Sequence, residues 1–292
     1  MHFVSTLLLG ALVTLRVAAA PAATVVSPRE ANVVSTTQMS SYAPFTQFAL
    51  AAYCDGTATW SCGDACDSVS SFRPSLAGGD GNAVQKYYVG YWPDQNAVVI
   101  AYEGTDPPSC ALSDLTDVDL FLAPLDATLF PGIPSSAEVH EGFANEHAIE
   151  ASAILAETKS LLSSKGATTV ITVGHSLGGA LAELSALFMT LNLPSSVHVK
   201  SVTFGTPRVS DFVRINHDHD PIPIVPGRSL GFRHVHGEIH ILDSNGKAYA
   251  CSPDDDATDS QCTISTVPNI FDSNILDHLG PYEGTYLGTI FC

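Results

Sequence analysis

Hydrophobic positions change their period several times along the chain. Between residues 141 and 165 apolar side chains recur at helical spacing (Phe143, Ile149, Ile154, Leu155, Leu161, Leu162), which predicts one long amphipathic helix. Residues 168–173 (TTVITV) are instead an unbroken, largely β-branched run, the pattern of a strand covered on both faces. Residues 180–191 are apolar nearly all round, as a buried helix is. Residues 44–54 read as a further helix. Residues 83–92 and 97–102 read as strands around a Pro93-Asp94-Gln95-Asn96 hairpin signal, and 197–204 as another strand. The segment HVHGEIHI, residues 234–241, alternates with a period of two. Strands that alternate with helices predict an α/β fold: a mostly parallel central sheet with helices on both faces.

The N-terminus follows a different logic. Residues 3–17 are a short apolar run and residues 18–23 (AAAPAA) a small-residue cleavage zone, so residues 1–20 read as a secretory signal peptide with a pro-segment to about residue 30. Residues 31–292 then form one domain. No second apolar run reaches the ~18 residues of a transmembrane helix, so the expected location is extracellular. Charge narrows the partners. With 12 Lys+Arg against 30 Asp+Glu and a net charge of −18, the chain lacks the basic surface that nucleic acid or anionic membranes require. Only 14% of residues are charged while 45% are hydrophobic, which supports a substantial core and a neutral polar surface. The seven cysteines fit an oxidising compartment. Local spacing suggests Cys62–Cys66 and Cys251–Cys262 as loop staples, and Cys54–Cys292 would tie the chain's ends together and leave Cys110 over. Seven thiols still admit about a hundred pairings.

The chemistry centres on Gly174-His175-Ser176-Leu177-Gly178, between the TTVITV strand and the buried helix. Glycine at i−2 and i+2 lets a serine occupy a tight strand-to-helix turn that lifts its hydroxyl above the helix N-terminus. Such a serine needs a base, and the base needs an orienting carboxylate. Asp220 is the best acid, because it follows the strand-like residues 212–216 and precedes Pro221-Ile222-Pro223. His278 is the best base, on a loop near the C-terminus, although order alone also admits His234, His236 or His240. His217-Asp218-His219-Asp220 also suggests metal ligation, but side chains on a strand alternate faces, so neither metal nor cofactor is expected.

GHSLGGAL, with the upstream Tyr102-Glu103-Gly104-Thr105, the stretch Phe204-Gly205-Thr206-Pro207-Arg208-Val209 and residues 220–226 (DPIPIVP), resembles the fungal class 3 lipases, which include feruloyl esterases. The resemblance runs from about Phe45 to Cys292. It implies an α/β-hydrolase fold with Ser176 as nucleophile, Asp220 as acid and His278 as base. It also implies an oxyanion hole from the backbone N–H groups of Thr105 and Leu177. Cys54–Cys292 matches the family's end-to-end disulfide, and Cys251–Cys262 a late-loop disulfide of its feruloyl esterase branch.

Two departures stand out. Glu103 occupies a place where the family usually carries Arg or a neutral residue. The family also has a crossover helix between the GTPRV stretch and the strand leading to the acid, for which about four residues remain here. Parallel neighbours ordinarily need a dozen or more. The expectation is therefore that this strand changes partner or direction, or that Asp220 is displaced. Residues 106–125 repeat Leu112, Leu115 and Leu122 at helical spacing and read equally as an amphipathic lid or as an ordinary surface helix packed on the body. The reaction expected is hydrolysis of carboxylic esters. Neutral acylglycerols at a lipid–water interface are the first substrate class and feruloyl or aryl esters the second, with a monomeric protein as catalyst. A catalytically inactive interface-binding protein is the alternative.

Overall fold

The computed structural model describes residues 31–105, 121–206, 212–227, 237–251 and 259–292. The signal stretch, residues 106–120 with Cys110, and His234 and His236 lie outside the described residues. The helical reading of 106–125 does not hold at its end: Leu122–Pro124 is a short strand paired antiparallel with Glu138–His140, so Leu122 is not part of a helix.

In chain order the elements are β1 (Asn32–Val33), α1 (Thr36–Ser40), α2 (Ala43–Tyr53), α3 (Asp64–Ser68), β2 (Arg73–Gly78), β3 (Tyr87–Trp92) and β4 (Ala97–Tyr102). After these come β5 (Leu122–Pro124), β6 (Glu138–His140), α4 (Glu141–Lys165), β7 (Thr169–His175), α5 (Leu177–Asn192) and β8 (His198–Phe204). The chain continues with β9 (Phe212–His217), β10 (Glu238–Leu242), β11 (Lys247–Ala250) and α6 (Thr263–Thr266). Nine strands form one sheet in the order β1-β11-β10-β9-β8-β7-β4-β3-β2. The five central strands, β4 and β7 to β10, pair in parallel, and antiparallel strands flank them on both sides. The fold is of the α/β-hydrolase type.

The period of two in β4 sorts its side chains between two cores. Ala97, Val99 and Ala101 pack with α2 on one face, while Val98, Ile100 and Tyr102 pack with α4 and α5 on the other. A strand covered on both faces has no solvated side, which is why β4 and β7 read as continuous apolar runs. Helix α4 spans the whole predicted segment 141–165 and ends at Gly166, whose φ of 67° is left-handed. The 93–96 hairpin signal corresponds to a 3₁₀ turn at Pro93–Gln95 closed by Asn96 with φ 46°. Among the described residues, no helix is long and apolar enough to cross a membrane.

The short connection after Val209 does not have the expected consequence. β9 keeps both partner and direction: it lies parallel to β8, with Ser201 opposite Phe212 and Phe204 opposite Ile215. Seven residues, 205–211, separate the two strands, and 207–211 lie outside the described residues. Extended, seven residues reach up to about 23 Å. The return needs roughly 10 Å along the strand and one strand spacing of about 4.8 Å sideways. A dozen residues are needed to house a helix, but fewer suffice to come back. Asp220 is correspondingly not displaced, as the site shows.

Candidate active site

β7 ends at His175, α5 begins at Leu177, and Ser176 makes the turn between them with φ 55° and ψ −128°. A serine holds that left-handed φ at a cost of order 1 kcal/mol or more, so the surroundings must enforce it. They do so through close backbone approach. A Cβ on Gly174 would stand 2.0 Å from the Gly178 carbonyl oxygen, and one on Gly178 would stand 2.4 Å from that of Tyr102. Ser176 N–H donates to the Phe204 carbonyl at 3.0 Å, which locks the turn to the neighbouring strand. The serine is 2% exposed.

Asp220 and His278 arrive from the other side of the sheet's C-terminal edge. β9 stops at His217, and a short turn closed by Asp220 N–H to the His217 carbonyl at 3.0 Å carries the fully buried Asp220 carboxylate. One oxygen, Oδ1, accepts the Ile222 N–H at 2.8 Å, while Oδ2 lies 2.9 Å from His278 Nδ1. A carboxylate only accepts, so His278 carries its proton on Nδ1 and leaves Nε2 as the basic nitrogen. His278 itself sits on a 3₁₀ turn, Ile275–Leu279. The expected pair is therefore in contact despite the short β8–β9 connection.

His175, the middle residue of the G-x-S triplet, has a role that the sequence reading missed. Its ring stacks on that of His278 with centroids 4.4 Å apart. Its Nε2 lies 2.7 Å from the His278 carbonyl oxygen, and its Nδ1 lies 2.7 Å from the Tyr53 hydroxyl. A carbonyl cannot donate, so Nε2 bears the proton and Nδ1 accepts from Tyr53. Burial, with His278 beside it, holds the His175 pKa well below the usual imidazole value and keeps the ring neutral. Tyr282, fully buried, donates to the same His278 carbonyl at 3.3 Å. No periodicity marks these contacts, because Tyr53, His175 and Tyr282 lie far apart in sequence.

Thr105 is half-buried in the segment that follows β4, and Leu177 opens α5, where a backbone N–H has no partner within the helix. Gly104 makes the loop fit: a Cβ there would come 2.2 Å from the Tyr53 hydroxyl and 3.1 Å from Ser176 Cβ. Glu103, 2% exposed, does not point an isolated charge at this loop. It accepts the Lys86 N–H at 3.2 Å and lies 3.7 Å from the Lys86 ammonium.

Among the described residues, His240 and His217 are engaged elsewhere. His240 bonds the carbonyls of Gln261 and Asp218, and His217 the Asp277 carbonyl and the Asp243 carboxylate. In the His217–Asp220 run only His217 is on a strand, so the strict alternation assumed for that run does not apply beyond it. All three expected disulfides are formed: Cys54–Cys292, Cys62–Cys66 and Cys251–Cys262.

Residues 99–230 match the family model described as lipase (class 3). A secreted mono- and diacylglycerol lipase of Malassezia globosa is 28% identical over 224 residues, which is 72% of this chain and 71% of that protein. Among solved structures, lipase II from Rhizopus niveus superposes with a TM-score of 0.74 at 24% identity, covering 89% of this chain and 99% of that one. A triacylglycerol lipase whose catalytic centre is described as a serine protease triad superposes with a TM-score of 0.72 at 23% identity, over 89% of this chain and 99% of that one. These superpositions speak to the fold.

Proposed function

The chain belongs to the class 3 lipase family, and on that premise we propose that it is a secreted serine hydrolase that cleaves carboxylic esters, acylglycerols first, through an acyl-enzyme on Ser176. The observation that carries this reading is the 2.9 Å contact of His278 Nδ1 with the buried Asp220 carboxylate, beside the strained turn at Ser176.

In this mechanism the Ser176 hydroxyl attacks the ester carbonyl while His278 Nε2 takes its proton. The carbonyl oxygen becomes an oxyanion and turns to the backbone N–H groups of Thr105 and Leu177, with the N-terminal end of α5 beneath it. His278 then returns the proton to the leaving alcohol, and the acyl group stays on Ser176. Water, deprotonated by His278, releases the acid. Asp220 holds the imidazole in the Nδ1–H form throughout and stabilises the imidazolium. The stacked His175 ring and the bonds to the His278 carbonyl fix the base's backbone, so orientation is set from both ends of the residue. The acidic composition supports uncharged esters over anionic lipids as substrates.

Turnover of p-nitrophenyl butyrate by the purified protein tests the reading. Ser176→Ala should lower kcat by 10⁴-fold or more. Undiminished activity without that hydroxyl overturns the triad, and an inert wild-type protein supports the inactive interface-binding alternative. Comparing tributyrin, triolein and methyl ferulate separates acylglycerol from aryl-ester preference.

A further inference from the structure

Two residues before the acid and one before the base, the chain places a second cluster of ligating side chains. Once β9 has ended at His217, Asp218 adopts a φ of 36° and the chain turns. That turn brings Asp218 and His219 to the same place, where Asp277 meets them. One ligand atom from each of Asp218, His219 and Asp277 lies within 4.8 Å of the other two.

We propose that Asp218, His219 and Asp277 form a binding site for a divalent first-row transition-metal ion of the zinc or manganese class. The donor chemistry selects the ion. Two carboxylates and one imidazole nitrogen suit such metals, whereas calcium and magnesium favour all-oxygen shells. Charge argues the same way. Two carboxylates face one another here, and among the described residues neither is ion-paired to a Lys or Arg. The contact present is His219 Nδ1 with Asp218 Oδ2 at 3.3 Å. The remaining bonds leave room for ligation: Asp277 Oδ2 accepts the His219 N–H at 3.0 Å and Oδ1 accepts the Asn274 side-chain amide at 2.7 Å, and a carboxylate oxygen retains a further lone pair. The half-exposed His219 ring leaves the site open to water as additional ligands.

Placement gives the site a consequence. Asp218 is on the turn that carries Asp220, and Asp277 is adjacent to His278 in the 3₁₀ turn. An ion held by both turns cross-links the segments that supply the acid and the base, which lie 58 residues apart in sequence. It acts as a clamp, positioning these residues without touching the ester.

The test uses the full-length mature protein stripped with chelator and does not depend on catalysis, so its failure is distinct from failure of the esterase reading. Isothermal titration with zinc chloride alone should show one equivalent bound, and saturating zinc should raise the thermal midpoint by roughly 5 °C. Asp218→Asn and His219→Gln should each weaken binding at least tenfold and abolish the thermal shift. His219→Gln guards against misfolding, since its ring is 45% exposed. His198→Gln, on the far end of the sheet, should bind like wild type. No saturable binding overturns the proposal, as does binding that the Asp218 and His219 variants leave unchanged.

Discussion

His278 Nδ1 lies 2.9 Å from Asp220 Oδ2, and both side chains are almost completely withdrawn from water. In such surroundings the carboxylate does more than attract. It dictates which imidazole nitrogen carries the proton, and so which remains to act as the base. Asp220→Asn keeps the volume but allows the amide N–H to face Nδ1, favouring the wrong tautomer. The expected result is a loss of 10³- to 10⁴-fold in kcat with a far-ultraviolet circular dichroism spectrum like that of wild type. A loss below tenfold would show that Asp220 is not the orienting group.

Gly205 shows how little space surrounds this pair. Its φ is 53°, and a Cβ there would stand 2.8 Å from Asp220 Oδ2 and 2.9 Å from His278 Nδ1. Gly205→Ala should therefore strain the backbone and push the acid and base apart. A drop of roughly 10²-fold in kcat/KM is expected, since displacements near 1 Å cost about that much. The check is steady-state kinetics alongside a thermal melt, because a purely structural effect would lower the midpoint and spare kcat in the folded fraction.

Tyr53 bonds His175, whose ring stacks on that of His278. Tyr53→Phe removes the only described donor to His175 Nδ1, leaving a buried acceptor unmet at a cost of about 1–3 kcal/mol. The thermal midpoint should fall by several degrees. If the Tyr53–His175–His278 chain positions the base, kcat should also fall severalfold with KM nearly constant. A change in midpoint alone would assign Tyr53 to packing.

Stability should depend on pH through two groups on α4. Glu150 and His147 are buried, and among the described residues their side-chain polar atoms have no hydrogen-bond partner. Burial pushes the Glu150 carboxyl up from 4.5 to about 8, with Glu146 adding repulsion, and pushes the His147 imidazole down from 6.5 to about 4. Between the two Glu150 values the folded state binds the extra proton, so stability falls as pH rises. Between the two His147 values the unfolded state binds it, so stability rises with pH. The slopes cancel from about pH 4.5 to 6.5. Above that, Glu150 acts alone and should remove about 2 kcal/mol by pH 8, at ~1.4 kcal/mol per unit. Urea unfolding at stepped pH should show this alkaline decline in wild type and its absence in Glu150→Gln. A decline of equal size in the variant would assign it to another group.

Much of this protein is legible in one dimension because its signals are local. The period change from TTVITV to the all-round apolar segment after Ser176 is sufficient for a strand running into a buried helix, and the glycines at 174 and 178 for the turn between them. Element boundaries were less exact: the helix read as 180–191 covers Leu177–Asn192, since its glycine-rich first turn carries little apolar signal. The connection between β8 and β9 is opaque in sequence because a return without a helix has its stagger set by pairing register, which only the folded sheet fixes.

Sequence by itself determined the alternation of strands and helices, the identity of the strained serine and the order in which Ser176, Asp220 and His278 follow along the chain. Those properties reside in neighbouring residues and in chain direction. Tertiary structure alone decided that β9 stays parallel to β8, that Asp220 Oδ2 meets His278 Nδ1, and that His175 bridges Tyr53 to the His278 carbonyl. Each is a contact between segments brought together by burying both faces of one sheet, and a hydrogen bond a few ångströms long leaves no periodic trace in the segments it joins.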